Sequence, residues 1–574
     1  MGRRLLIISL VLVSFQAIGQ EEKFQFNGSA RAYVFSNDLD IDQDLDSVTT
    51  RKANYGQTLL DLGISIFPNK KTEVIGMFRI RNELGGFWGG GTSFNVRQLT
   101  LKGVAGNVVK YEIGDIDLEM TPYTLFNFQE EGIVNEAEAF KIRRDVVHYD
   151  LFYNGNTWRM QGAKTKFGLN FSKGIKSIDV TSFITRQRPA LLDPERLYGG
   201  GTIKIEQSKN LAVSFNSVAN FDLSQTVADT MRHRNGVHTM DVLYKYQAND
   251  NNLFTFRGEG GFSEVVCANC PDINGEDGPL STSLVSGSFI DISVNGENKK
   301  MNLSYEVGFK DVQSDFLSPG AQTKRVDYGR FPALYQQITN DAQGRRLNYT
   351  DVISGNTSNS IQISEELVPY FAAYNNTTPY GDATPNRKGV YINVNRKDTV
   401  KFKKAFFKLG VFEQSQATGS DLVKSFILAE AGTDVFLSDF LNWKREFKIN
   451  AGIRYEATNR GGEEFESVDL SSTLIDLGLS LEFADKLDLL VGAKLWNVNG
   501  NAYINERNIF NVIKDYDVVS YDFTENTIAT GLRYRFNDKN VLSAQYQTFN
   551  LDDSITDAVD YGMSQLTLLF NMKF

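Results

Sequence analysis

The chain has little of several things: 2 Cys, 3 His and 11 Pro in 574 residues. Two cysteines cannot build a disulfide scaffold, and the single Cys267-Ala268-Asn269-Cys270 pair has no second C-x-x-C to complete a zinc site. The histidines, His148, His233 and His238, supply neither a metal triad nor an evident general base. There is no G-x-S-x-G nucleophile elbow and no Walker loop, so nothing in the pattern points to an enzyme. Positive charge is in deficit, and the net charge of −10 argues against nucleic acid as a partner. Beyond Phe15 there is no apolar run near the roughly 18 to 20 residues a membrane helix needs.

What is abundant is aromatic and small: 41 Phe, 24 Tyr and 48 Gly, with a polar average. The N-terminus carries Arg3 and Arg4, an apolar run from Leu5 to Phe15, and Ala17-Ile18-Gly19 before Gln20. That is a secretory signal over 1–19 with the mature chain expected from Gln20. No Cys follows the cleavage site, which excludes a lipid anchor there. No linker or composition shift divides the remainder, so 20–574 reads as one domain. An exported chain with no spanning helix enters a membrane only as a closed barrel.

The last residues, Tyr561 to Phe574, alternate. Leu566, Leu568, Phe570, Met572 and Phe574 occupy one row, and Gln565, Thr567, Asn571 and Lys573 most of the other. A period of two places the rows on opposite faces of a strand. With its terminal Phe this segment resembles the C-terminal signature of bacterial outer-membrane barrels, which implies Phe570, Met572 and Phe574 as an insertion signal read by the barrel-assembly machinery. The alternation recurs along the chain and predicts an all-β, antiparallel up-and-down barrel of about 22 to 24 strands with both termini periplasmic. The short segments Asp145 to Asn154, Thr157 to Thr165 and Lys166 to Lys173 account for the spread between 22 and 24. Connections alternate between short turns such as Ala105-Gly106-Asn107 and long segments such as Asn37 to Gly56, Glu119 to Arg144, Ser263 to Leu280 and Lys310 to Arg387. Tight periplasmic turns and long outer loops follow that plan.

Several strands sort their charge onto one face. Arg79, Arg81, Arg257, Lys448, Arg454, Arg533 and Arg535 each oppose an apolar row. Arg or Lys against mid-membrane lipid costs about 2 to 4 kcal/mol, so these residues are expected to line the lumen as a largely basic wall. The connection after the fifth strand carries Glu119, Glu130, Glu131, Glu136 and Glu138 and ends in Arg143 and Arg144. In position and acidic content it resembles the constriction loop of general porins. Acid facing arginine across a lumen would filter solutes by charge, whereas a solvated outer loop would not. Reversing Glu130 and Glu131 is therefore expected to change ion selectivity.

Other features keep their alternatives. Asp38, Asp40 and Asp42 alternate in the first outer loop and suit Ca²⁺ through hard oxygens, but the EF-hand Gly and Glu are missing. Cys267 and Cys270 are expected to form a local disulfide in an oxidising compartment. The 310–387 loop is rich in Tyr and fits a lid, a sugar-stacking surface or a protein-docking face. The style resembles porin-like barrels of the Bacteroidota, with Gln after the cleavage site and a Phe terminus. Strand signals from Phe24 onward imply no N-terminal plug domain. The expected function is an outer-membrane channel for passive or gated passage of small polar solutes. The alternative is a plugged barrel scaffolding a secretion, gliding or assembly machinery. Outer-membrane lipid, lipopolysaccharide and surface or periplasmic proteins are the expected partners.

Overall fold

The computed structural model describes residues 23–41, 52–84, 91–128, 134–150, 155–187, 196–223, 232–270, 281–323, 367, 370, 372–397, 402–507, 513–555 and 561–574. The first quarter of the sheet is β1 (Phe24–Ile41), β2 (Lys52–Asn69), β3 (Thr72–Glu83), β4 (Thr92–Ala105) and β5 (Val109–Leu118). After helix α1 (Glu138–Asp150) come β6 (Trp158–Asn170), β7 (Ser177–Gln187), β8 (Arg196–Glu206), β9 (Leu211–Asp222) and β10 (Arg232–Asn249). Then follow β11 (Asn252–Cys270), β12 (Ser281–Asn298), β13 (Leu303–Val312), β14 (Arg387–Arg396), β15 (Phe402–Glu413) and β16 (Ser425–Phe436). The series ends with β17 (Phe447–Arg460), β18 (Val468–Ala484), β19 (Leu487–Arg507), β20 (Ile513–Asn537), β21 (Asn540–Asp553) and β22 (Tyr561–Lys573).

Each strand pairs antiparallel with the next, and β22 returns to β1, closing a 22-stranded sheet. The seam runs from Ser29 opposite Lys573 to Ile41 opposite Tyr561. Beyond it Gly28 and Phe574 exchange backbone hydrogen bonds of 3.1 and 3.0 Å. Closure leaves no edge, which is what a sheet in lipid requires because nothing there replaces a missing hydrogen bond.

The count falls at the lower end of the expectation because the three short segments between Asp145 and Lys173 make one strand, not three. Residues 145–150 belong to α1, and Trp158–Asn170 is one strand. No Gly, Asn or Pro separates Thr165 from Lys166, so nothing turns the chain there. The helix closes its own backbone hydrogen bonds and needs no strand neighbour. Several outer connections are also shorter than their composition suggests: β1 continues to Ile41, β11 to Cys270 and β19 to Arg507. With 25 residues in β20, such strands exceed the roughly 9 to 11 a bilayer demands and extend well beyond it.

Periodicity sets the two faces. Along β22, Leu566 and Leu568 point outward, whereas Gln565 and Thr567 are buried within. On β20, Ile528, Leu532, Tyr534 and Phe536 point outward and alternate with Arg533 and Arg535. At one end the turns are tight: Gly106 and Asn107 both take positive φ (58° and 62°), as a two-residue type I′ hairpin requires. Among the described residues no helix is long and apolar enough to cross a membrane. An apolar outside, a charged inside and a closed sheet make this a β-barrel of the bacterial outer membrane.

Candidate pore constriction

The connection between β5 and β6 folds inward and lies on the lumenal wall. Residues 134–140 cross β16 to β19 where that wall has been planed flat by glycine. A Cβ on Gly452 would sit 2.8 Å from the Asn135 nitrogen. One on Gly478 would sit 2.5 Å from Ala137 Cβ, and one on Gly492 would sit 2.7 Å from the Phe140 ring. Gly432 opposes Gly452 and Gly478 opposes Gly492 across their strand pairs, so together they form a groove for the segment.

Polar contacts pin what the groove admits. Asp476, fully buried, accepts hydrogen bonds from the backbone N–H groups of Val134 at 2.5 Å and Asn135 at 3.3 Å. The Asn135 side-chain amide donates to Thr433 O at 2.9 Å and to Asp434 at 2.8 Å. Asn450 donates to Asn135 O at 2.7 Å, and Gln545 to Ala139 O at 2.6 Å.

Two glutamates then bring charge to the wall. Glu136 bonds Arg144 on its own segment at 2.6 Å and Lys494 of β19 at 2.8 Å. Glu138 bonds Lys448 of β17 at 2.8 Å and Arg533 of β20 at 3.1 Å. Burial alone would raise the Glu138 pKa; Lys448, Lys141 and Arg533 outweigh it and bring the carboxyl down to about 2. Glu136 and Glu138 are thus ion-paired anchors, and the acid they contribute is neutralised locally. Glu119 stays exposed beside Lys164 in a cavity of about 290 Å³ near β6 to β8. Glu130 and Glu131 lie outside the described residues, as does the side chain of Arg143.

The other wall arginines are paired too. Arg533 and Arg535 both bond Asp488, at 2.8 and 2.9 Å. Arg454 bonds Glu456 at 2.7 Å, and Arg257, facing open lumen, bonds Glu259 at 3.1 Å. Arg79 makes a two-pronged bond to Asp61, both contacts at 2.7 Å. Arg97 reaches the same carboxylate at 3.1 Å. Arg31, Arg79 and Arg97 surround the Tyr149 ring of α1 at 5.1, 5.8 and 4.4 Å, within cation–π range, and Arg81 is buried on the same strand as Arg79. Arg97 escapes a reading by alternation for a physical reason. Met77 opposes Gln98 and Phe78 opposes Val96, so Arg97 is the extra residue of a β-bulge.

A second connection, between β13 and β14, also folds inward. Trp158 donates to Gly320 O at 2.9 Å, Asn235 to Leu317 O at 3.1 Å, and Ser318 to Tyr123 O at 2.7 Å. Tyr123 stacks on Phe289 at 3.9 Å with Phe316 edge-on to both. Residues 372–374 pack beside Val134 on Trp496 and Phe523. Lys310 bonds Asp382 at 2.9 Å, and Asp291 accepts from Tyr123 and Tyr391. Residues 324–366 of this loop are outside the described ones.

Of the remaining sequence expectations, Asp38 and Asp40 fall on β1 and Asp42 is outside the described residues. Among the described residues no group of three or more His, Cys, Asp or Glu is placed to hold a metal. Cys267 and Cys270 lie on β11 opposite Ser283 and Ser281, where a loop was expected, and their side chains are outside the description. Phe570, Met572 and Phe574 lie on or just past the closing strand. The signal segment 1–19 is outside the described residues.

No protein-family model matches this sequence, and no curated protein matches it. Among solved structures the chain is similar to Pseudomonas aeruginosa OccK5 (OpdH), at 9% identity over 96% of this chain and 98% of that one, with a TM-score of 0.33. It is similar to the copper transporter OprC at 10% identity over 97% and 81%, with a TM-score of 0.49. A BenF-like porin from Pseudomonas fluorescens aligns at 9% identity over 97% and 100%, with a TM-score of 0.34.

Proposed function

We propose that this barrel is a channel for small polar solutes, passive or gated, narrowed by the inward segment over residues 134–150 and filtered by lumenal charge. The observation that carries this reading is the anchoring of residues 134–140 in a glycine groove, by Asp476, Asn450, Lys448, Lys494 and Arg533. A segment held at so many points is a fixed part of the lumen, and a fixed lumenal obstruction sets what passes.

The charge layout supports a filter of a different kind from the one the loop's acids suggest. Arg31, Arg79, Arg81 and Arg97 sit on β1, β3 and β4, and Asp61 of β2 bonds Arg79 and Arg97. Nine strands away in a ring of 22, from β2 to β11, the wall of β10 to β12 carries Asp241, Glu259 and Asp291 together with Arg257, a cation paired with Glu259. Basic and acidic walls set that far apart around the ring create a transverse field, which favours polar and zwitterionic solutes over neutral apolar ones.

Purified protein in a planar bilayer tests the reading. Stable conducting steps, blocked or slowed by particular members of a panel of sugars, peptides and salts, are expected. A plugged scaffold is the second reading, favoured by the apolar contacts that join both inward segments to the wall at Trp496 and Phe523; silence together with co-purifying partners would select it. The proposal extends to a Cys267–Cys270 disulfide at the outer end of β11, read by thiol labelling, and to a Bacteroidota origin, supported by Gln20 and Phe574.

A further inference from the structure

Three cations meet at the end of the barrel with the long connections. Arg387 opens β14, Lys424 precedes β16 and Arg460 closes β17; all three are buried, at 5, 7 and 5% exposure. Each donates to backbone carbonyls, and Arg387 also bonds the Tyr370 side chain. Arg387 donates to Thr377 O at 2.8 Å and Asn376 O at 2.7 Å, with its guanidinium 3.7 Å from the Phe426 ring centre. Arg460 donates to Glu466 O at 2.6 Å and Thr418 O at 3.1 Å, and Lys424 to Tyr503 O at 3.1 Å. The Lys424 ammonium and the Arg460 guanidinium lie 5.9 and 5.2 Å from the same Tyr503 ring.

Buried cations are normally matched by carboxylates, because carbonyl dipoles do not repay the loss of hydration. Here the nearby carboxylates are engaged elsewhere. Glu456 accepts from Arg454 and from the Asn376 backbone, and Glu466 accepts from Ser420. An ammonium has three N–H donors, and among the described residues Lys424 uses one. Beside it lies a cavity of about 70 Å³, whose lining includes Arg387, Lys424, Tyr370, Asn376 and Gln414. A liquid water occupies about 30 Å³, so a small polyatomic ion fits.

We propose that this cavity binds a small oxyanion, taken from solution through the outer mouth, with Lys424 and Arg387 as its principal contacts. The side chains face the lumen, which removes lipid headgroups as the source. The proposal goes beyond the channel reading and does not depend on it, because binding is measured without current.

Facing Lys424 are Arg387 from β14 and Arg460 from β17. The phenols of Tyr370, Tyr380 and Tyr503 complete the surroundings, and Glu456 stands behind Arg387, already paired. Burial, then Arg460 and Arg387, push the Lys424 ammonium down to about 7. An anion favours the charged form, so affinity is present below that value and lost as pH rises through it.

Sulfate is the probe, since it keeps its charge between pH 6 and 8. Isothermal titration of the detergent-solubilised barrel should show one saturable site, about tenfold weaker at pH 8 than at pH 6, as the protonated fraction dictates. Lys424→Gln should weaken sulfate at least tenfold at pH 6, whereas Lys408→Gln, on the half-exposed Lys408, should leave it unchanged. Lys424→Arg should still bind but with a flat pH profile, because a guanidinium does not titrate there. That variant decides the matter should Lys424→Gln fail to fold. Absence of saturable binding, or a pH profile unchanged in Lys424→Arg, overturns the proposal.

Discussion

Replacing Glu138 by Gln removes the charge that fastens α1 to β17 and β20. The carboxylate is 19% exposed and its partners Lys448 and Arg533 are 14% and 17% exposed, so the pair is largely but not fully withdrawn from water. Its pKa falls from 4.5 to about 2, against the rise that burial alone would give. At 1.36 kcal/mol per unit this is about 3 kcal/mol of favourable interaction, reduced to about 1 to 3 kcal/mol by residual solvent screening. Because the folded value is depressed, that stabilisation is complete above pH about 4.5 and is lost as pH falls toward 2. The variant leaves Lys448 and Arg533 undercompensated by one charge next to the inward segment. In a KCl gradient across a planar bilayer the reversal potential should move toward anion selectivity. The shift should be larger at 0.1 M than at 1 M salt, where the Debye length shrinks from about 10 to 3 Å. Acidifying the wild type to about pH 2, where the folded carboxyl takes up its proton, should imitate the variant. Identical reversal potentials for wild type and Glu138→Gln at 0.1 M would refute the placement of this pair at the conducting path.

Three further outcomes are expected. Gly492→Val puts a branched side chain where even a Cβ would lie 2.7 Å from Phe140, so the segment must lift from its groove and single-channel current should become noisier with larger steps. Asp476→Ala strands the N–H groups of Val134 and Asn135 at a buried site, at a local cost of about 2 to 4 kcal/mol, and should speed hydrogen exchange at those two amides while the strands keep their protection. Leu568→Arg sets a charge on the outward face of β22 and should lower the stability of the barrel in lipid vesicles by about 2 to 4 kcal/mol in a urea titration; an unchanged midpoint would mean that face does not meet lipid.

The barrel was legible because its information is local. Leu566 to Phe574 alternate within one strand, and Gly106-Asn107 define one turn, so period and turn chemistry suffice to read them. The inward segment was legible only in position. Its helix carries Val146, Val147 and Tyr149 in a run that suits a strand as well as a helix, and only its packing against β18 to β20 decides. The roles of Glu136 and Glu138 depend on Lys494 and Lys448, more than 300 residues away in sequence, and no spacing rule reaches that far. Arg97 was hidden by a bulge that shifts the alternation by one residue. Which charges share a wall is fixed only once closure sets the order of the strands around the ring.

The most direct test is the single-channel conductance of a barrel from which residues 129–150 are excised and bridged by a short Gly-Ser linker, compared with the intact protein in 1 M KCl. If the segment pinned at Asp476, Lys448 and Lys494 narrows the lumen, the shortened barrel conducts in distinctly larger steps. Steps of equal size from two equally well folded proteins would contradict it.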